Sequence, residues 1–369
     1  MLPSRTHFAR CLALTLLTAC NARQSGGTPA SQGAPSAPAT TASLAPSAAP
    51  APLPTGARLY VTAEAAGAVS VIDVASQRVL RTISVGKRPR GIQASADGKT
   101  VYLALTGSAA QGPGAKEAPK VPPDREADGI GMIDTATLAF VGKLKSGPDP
   151  EQLALSADGR KLYLSNEETS AAAVLDLASK TMTSVAVDEE PEGVAISPDG
   201  LWVYVTCEGS DSVVVLDTRT NAVAAKIKVG GRPRSVAFLP DSRRAYVTSE
   251  TGSSIAVVAL PSHRVEATIK LEGGVVRPMG VAVAPDGKHV YVTTGHAGTV
   301  VVVDVAKNEV SGKIAVGGRP WGVAIARDGK TLYTANGTTD DVSVVDLGEQ
   351  RELARVEVRG RPGGVVYVP

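Results

Sequence analysis

The stretch Pro191-Glu192-Gly193-Val194-Ala195-Ile196-Ser197-Pro198-Asp199-Gly200-Leu201-Trp202-Val203-Tyr204-Val205-Thr206 decides the fold. A proline turn leads into a short apolar run. An Asp-Gly turn follows, with glycine supplying positive φ, and then a strand carries the tyrosine. Beyond it, Val213-Val214-Val215-Leu216-Asp217 reads as a third strand. Ala224 to Val229 reads as a fourth, with alternating polarity. The third run is apolar at consecutive positions, which marks a strand covered on both faces.

The same grammar recurs along the chain. Tyrosines stand at Tyr60, Tyr102, Tyr163, Tyr204, Tyr246, Tyr291 and Tyr333, about 42 residues apart except for one longer step. Prolines open the first strand of each unit at Pro89, Pro150, Pro191, Pro233, Pro278, Pro320 and Pro362. Four short antiparallel strands per repeat, seven times over, predict an all-β, seven-bladed β-propeller. The phase predicts closure. The first repeat opens on a second strand, Leu59 to Thr62, and the last first strand is Gly364 to Val368. Pairing of the two would complete the ring and remove its open edges.

Outward from the repeats, residues 1–19 read as a lipoprotein signal peptide. Arg5 and Arg10 precede a short apolar core, and Leu17-Thr18-Ala19-Cys20 resembles a bacterial lipobox. Cys20 is the expected lipidation site. Residues 20–57 are rich in Ala, Ser and Pro, without hydrophobic periodicity, and read as a disordered tether. The propeller spans 58–369, with an insertion at 107–128. An envelope location is expected, anchored to membrane through the N-terminal lipid. Asn21, not Asp, follows Cys20, which favours the outer membrane, periplasmic or surface-facing, over the inner one.

Charge limits the function classes. Lys and Arg number 38 and Asp and Glu 36. Loss of Arg5 and Arg10 leaves the mature chain formally neutral. A neutral chain with 4% aromatic residues has little for nucleic-acid binding, which remains a second alternative.

The phrases Tyr204-Val205-Thr206, Tyr246-Val247-Thr248 and Tyr291-Val292-Thr293 resemble the YVTN-repeat (YncE-like) propeller family of the bacterial envelope. Glu190-Pro191-Glu192-Gly193 and Asp340-Asp341-Val342-Ser343-Val344-Val345-Asp346 are similar to its subgroup associated with PQQ-dependent alcohol catabolism. The resemblance implies a tethered, non-catalytic binding or scaffold module, accessory to a quinoprotein dehydrogenase. A lactonase- or lyase-like hydrolytic propeller is the first alternative.

Two sets of loops should share one mouth of the channel: the proline turns, and the loops after the tyrosine strands. They collect Arg90, Glu151, Glu192, Arg234, Arg319 and Trp321 from the first set. The second set adds Glu64, Glu167, Glu208 and Glu250. These form the candidate binding mouth for a small polar ligand or a protein partner. The Arg and Glu side chains can alternatively pair between blades. The 107–128 insertion should overhang this mouth. No catalytic residue, metal site or cofactor is nominated, and the propeller is expected to be monomeric. Cys207 reads as a packing residue, its thiol disfavoured as a nucleophile by the adjacent Glu208.

Overall fold

The computed structural model describes residues 55–109 and 121–369. The leader, Cys20 and nearly all of the tether lie outside them, as does the middle of the insertion.

Among the described residues, 28 strands form seven four-stranded antiparallel sheets. One blade shows the plan: β12 (Pro191–Ile196), β13 (Trp202–Cys207), β14 (Ser212–Asp217) and β15 (Ala222–Lys228), hydrogen-bonded in that order. The expected seven-bladed propeller is what the chain forms. Ser197 and Asp199 make the β12–β13 turn. Trp202 N–H donates to Ser197 Oγ at 3.0 Å, and Gly200 takes φ +73°. The third strand is buried along its length and the fourth is largely exposed, so the fourth strands form the outer rim.

Closure follows the predicted phase. β28 (Pro362–Val368) pairs with β1 (Arg58–Ala63), which pairs with β2 (Ala68–Asp73) and then β3 (Arg78–Ser84). The inner strands are β28, β4 (Pro89–Ala94), β8 (Pro150–Leu155), β12, β16 (Pro233–Phe238), β20 (Pro278–Val283) and β24 (Pro320–Ile325). Each packs against the next around the axis, and β28 packs against β4. Apolar residues of the second and third strands fill the spaces between blades, as where Tyr204, Val213 and Val215 meet Val236, Val247 and Val258.

The Tyr-Val-Thr phrase has a physical reason. Thr206 Oγ1 accepts from Gly193 N–H of its own blade at 2.7 Å and donates to Arg234 O of the next blade at 3.1 Å. Thr248 makes the same pair of bonds to Ser235 N–H and Met279 O, and Thr293 to Gly280 N–H and Trp321 O. Ser165 and Thr62 occupy the matching positions. One hydroxyl thus ties adjacent inner strands. At Gly193 and Gly280 the close approach excludes a side chain. A Cβ on Gly193 would lie 2.3 Å from Arg234 O, and one on Gly280 2.3 Å from Trp321 O.

Candidate functional site: a charged mouth with one basic notch

Each proline turn delivers its residues to the mouth through the same backbone geometry. The residue before each inner-strand proline has φ between 36° and 59°: Arg88, Asp149, Glu190, Arg232, Arg277, Arg319 and Arg361. Positive φ is uncommon outside glycine, and a following proline restricts the backbone further. The second-strand loop holds this conformation. Glu208 N–H donates to Glu190 O, Glu250 N–H to Arg232 O, and Gly337 N–H to Arg319 O. Both loop sets therefore meet at one end, and the Asp-Gly turns lie at the other.

The residue after each proline holds the same position on its inner strand at the mouth. Around the ring these are Arg90, Glu151, Glu192, Arg234, Met279, Trp321 and Gly363. The structure joins most of the expected mouth residues into one network. Arg90 Nε donates to Glu151, its Nη2 lies 3.1 Å from Glu192 Oε1, and its Nη1 is 3.6 Å from Glu64 Oε1. Arg234 contacts Glu192 at 3.2 Å and Glu250 at 2.7 Å, and also pairs with Glu208. Glu192 is thereby shared by two guanidiniums. Arg88, Arg232 and Arg277 close the network from outside, on Glu64, Glu208 and Glu250. The inter-blade pairing reading thus describes Arg90 and Arg234, each of which serves three carboxylates.

Trp321 lies among three cations. The guanidinium carbons of Arg90, Arg234 and Arg319 stand 5.5, 5.3 and 5.2 Å from its ring centroid. Arg319 and Arg361 have no carboxylate partner among the described residues. Gly363, where the other blades carry a side chain, leaves a notch between Trp321 and Arg90. Glu64, Gln152, Arg319 and Arg361 complete its lining. Neither Gly363 nor Gln152 was among the expected site residues. Comparing the residue after each proline across the seven repeats singles out Gly363 as the one without a side chain.

Electrostatics divide the mouth. Arg90 and Arg88 overcome burial and hold the Glu64 carboxyl below its ordinary value. Arg234 does the same for Glu250. At other carboxyls burial dominates, reinforced by neighbouring carboxylates. Glu167 is pushed up to about 7 and Glu208 to about 8, and Glu151 is also raised. Oxygens of Asp149, Glu151 and Glu167 lie within 4.8 Å of one another, a grouping that a hard cation could use. Arg90 already engages Glu151, and Thr106 Oγ1 donates to Asp149. No second feature points to a metal there.

The described ends of the insertion are rooted at the mouth. Gly107 N–H donates to Asp128 Oδ1 at 2.7 Å, and Arg88 Nη1 to Ser108 O at 2.6 Å. Arg125 pairs with Glu168. Residues 110–120 of the insertion lie outside the described residues. Cys207 is buried as expected, and burial pushes its thiol up to about 12. The nearby carboxylate that adds to this belongs to Asp188, where the sequence pointed to Glu208. His296 is exposed at the mouth's edge.

Comparison with known proteins bears on what this mouth does. Residues 189–359 match the family described as lactonase, seven-bladed beta-propeller. Residues 57–232 match the choice-of-anchor I domain. No curated protein matches the chain. Among solved structures, the periplasmic gluconolactonase of Pseudomonas aeruginosa is similar at 22% identity and TM-score 0.67, covering 85% of this chain and 99% of that one. A putative 6-phosphogluconolactonase from Bacteroides fragilis is similar at 18% identity and TM-score 0.69, over 85% and 98%. Hydrazine synthase of Kuenenia stuttgartiensis is similar at 22% identity and TM-score 0.64, over 75% and 88%. At these identities the likeness concerns the fold. The lactonase match overturns the expectation of a non-catalytic scaffold accessory to quinoprotein alcohol oxidation, and favours the hydrolytic alternative.

Proposed function

We propose that this protein hydrolyses a lactone at the notch beside Trp321. The observation that carries the reading is an ionised carboxylate, Glu64, lining the same notch as two guanidiniums without carboxylate partners. The lactonase match over 189–359 supports this reaction class. Geometry ranks Glu64 above Glu167 as general base, because Glu64 lines the notch and Glu167 does not. A water beside Glu64 would lose a proton to the carboxylate as it attacks the lactone carbonyl. The guanidiniums of Arg319 and Arg361 favour the negative oxygen of the tetrahedral intermediate. Trp321 offers an apolar platform for the ring carbons.

The test uses the purified full chain with glucono-δ-lactone and simple five-membered lactones, corrected for spontaneous opening. Enzymatic turnover is expected, with kcat/KM lowered about 100-fold or more in Glu64→Gln. The rate should stay level from pH 8 down to about 5, because Glu64 is held ionised. An inflection near pH 7 would move the base to Glu167. Turnover no faster than the spontaneous reaction on every lactone overturns the proposal. We further propose that the enzyme works tethered to membrane through a lipidated Cys20, the role its lipobox-like context supports.

A further inference from the structure

Five arginines of the mouth have carboxylate partners: Arg88, Arg90, Arg232, Arg234 and Arg277. Arg319 and Arg361 have none among the described residues. Both line the notch left by Gly363. Arg319 lies against the Trp321 ring, half-buried. Its proton affinity is lowered by burial first and by Arg361 next, so the two cations sit close enough to repel. In a mouth where acid–base pairing is otherwise extensive, two adjacent guanidiniums that make no direct ion pair, with Glu64 acting on both only at longer range, offer an anion subsite.

We propose that Arg319 and Arg361 form a carboxylate-binding subsite that holds the hydroxy acid released by lactone hydrolysis. The identity of the anion rests on the hydrolytic reading above. In that reaction water adds to the acyl carbon and the ring C–O bond breaks. One proton passes to the departing alkoxide oxygen, and the new carboxylic acid releases another to solvent. A neutral ester thereby becomes an anion. The substrate offers the two arginines no charge and the product offers one, so the site retains product more tightly than substrate. Product inhibition is the functional consequence, exerted in the notch itself.

The test is calorimetric titration of sodium gluconate into the full-length protein at fixed ionic strength, with sorbitol as the neutral probe. Wild type is compared with Arg319→Gln and Arg361→Gln, each checked for unchanged thermal unfolding. Gluconate should bind, sorbitol should bind at least tenfold more weakly, and each substitution should weaken gluconate about tenfold. Equal gluconate affinity in wild type and both variants overturns the subsite, as does sorbitol binding as tightly as gluconate. The two readings fail separately. Arginine-dependent gluconate binding without lactone turnover keeps the subsite and removes the hydrolytic reading. Wild-type turnover with gluconate affinity unaltered in both variants does the reverse. Wild-type lactone turnover together with arginine-dependent gluconate binding supports both.

Discussion

Arg234 meets Glu192, Glu208 and Glu250 at the centre of the mouth, with its side chain 10% exposed. Removing one partner of a buried ion pair leaves uncompensated charge, at a cost of about 3–5 kcal/mol. Arg234→Met should therefore lower stability by about that amount, read as a drop in the urea midpoint at pH 7. A shift under 1 kcal/mol would mean the carboxylates find other partners. The raised carboxyls set a pH dependence. Glu167 and Glu208 hold protons more tightly when folded than when unfolded. Their stabilising contribution is complete below the ordinary glutamate value and fades as pH rises through about 7 to 8. The melting temperature should fall between pH 5 and 8, and Glu167→Gln should flatten the part of the slope near pH 7. A profile rising over that range would contradict the assignment. At the amino end, Cys20→Ala should abolish incorporation of labelled palmitate by producing cells and release the protein from membranes. The charged mouth residues were legible in the sequence, because each stands at a fixed offset from a repeated proline or tyrosine. Which carboxylate each arginine takes was not, because pairing depends on reach across the channel.

At the scale of strands, the hydroxyl tie links one blade to the next. Thr206→Val keeps shape but leaves Gly193 N–H and Arg234 O unpaired. A loss of about 1–3 kcal/mol is expected in chemical unfolding, with most of it recovered by Thr206→Ser. If valine were as stable as threonine, water would have to replace the hydroxyl. Gly193→Ala should be worse than Thr206→Val, because the clash is with backbone that cannot rotate away. The repeat itself was readable from periodicity, turn residues and the continuous apolar third strands. The threonine's purpose was hidden. Its acceptor belongs to a residue 28 positions later, on a different sheet. Two blades do without the hydroxyl, at Ala104 and Ala335. The tie therefore strengthens a plan already set by the packing of buried strands such as β14.

For the molecule as a whole, the decisive contact is β28 on β1. Its prediction from repeat phase succeeded because strand order within a blade is invariant, so a chain opening mid-blade must borrow its missing strand. The function was harder to read. The scaffold reading rested on motif likeness, whereas the lactonase match spans residues 189–359 and runs across several blades. The notch needs residues from distant repeats: Glu64 and Arg90 early in the chain, Arg319 and Trp321 late, and Gly363 later still. Among the 28 strands, β28 follows every other in chain order and β1 precedes them all. During synthesis the first blade must wait, its edge uncovered, until the final strand emerges. That strand also brings Gly363 to the notch. A ribosome that stalls, or a protease that clips ahead of Pro362, leaves a chain with both an unpaired edge and an unfinished binding site. Competence and completeness thus arrive in a single event, and a truncated product carries an exposed edge open to pairing with another chain.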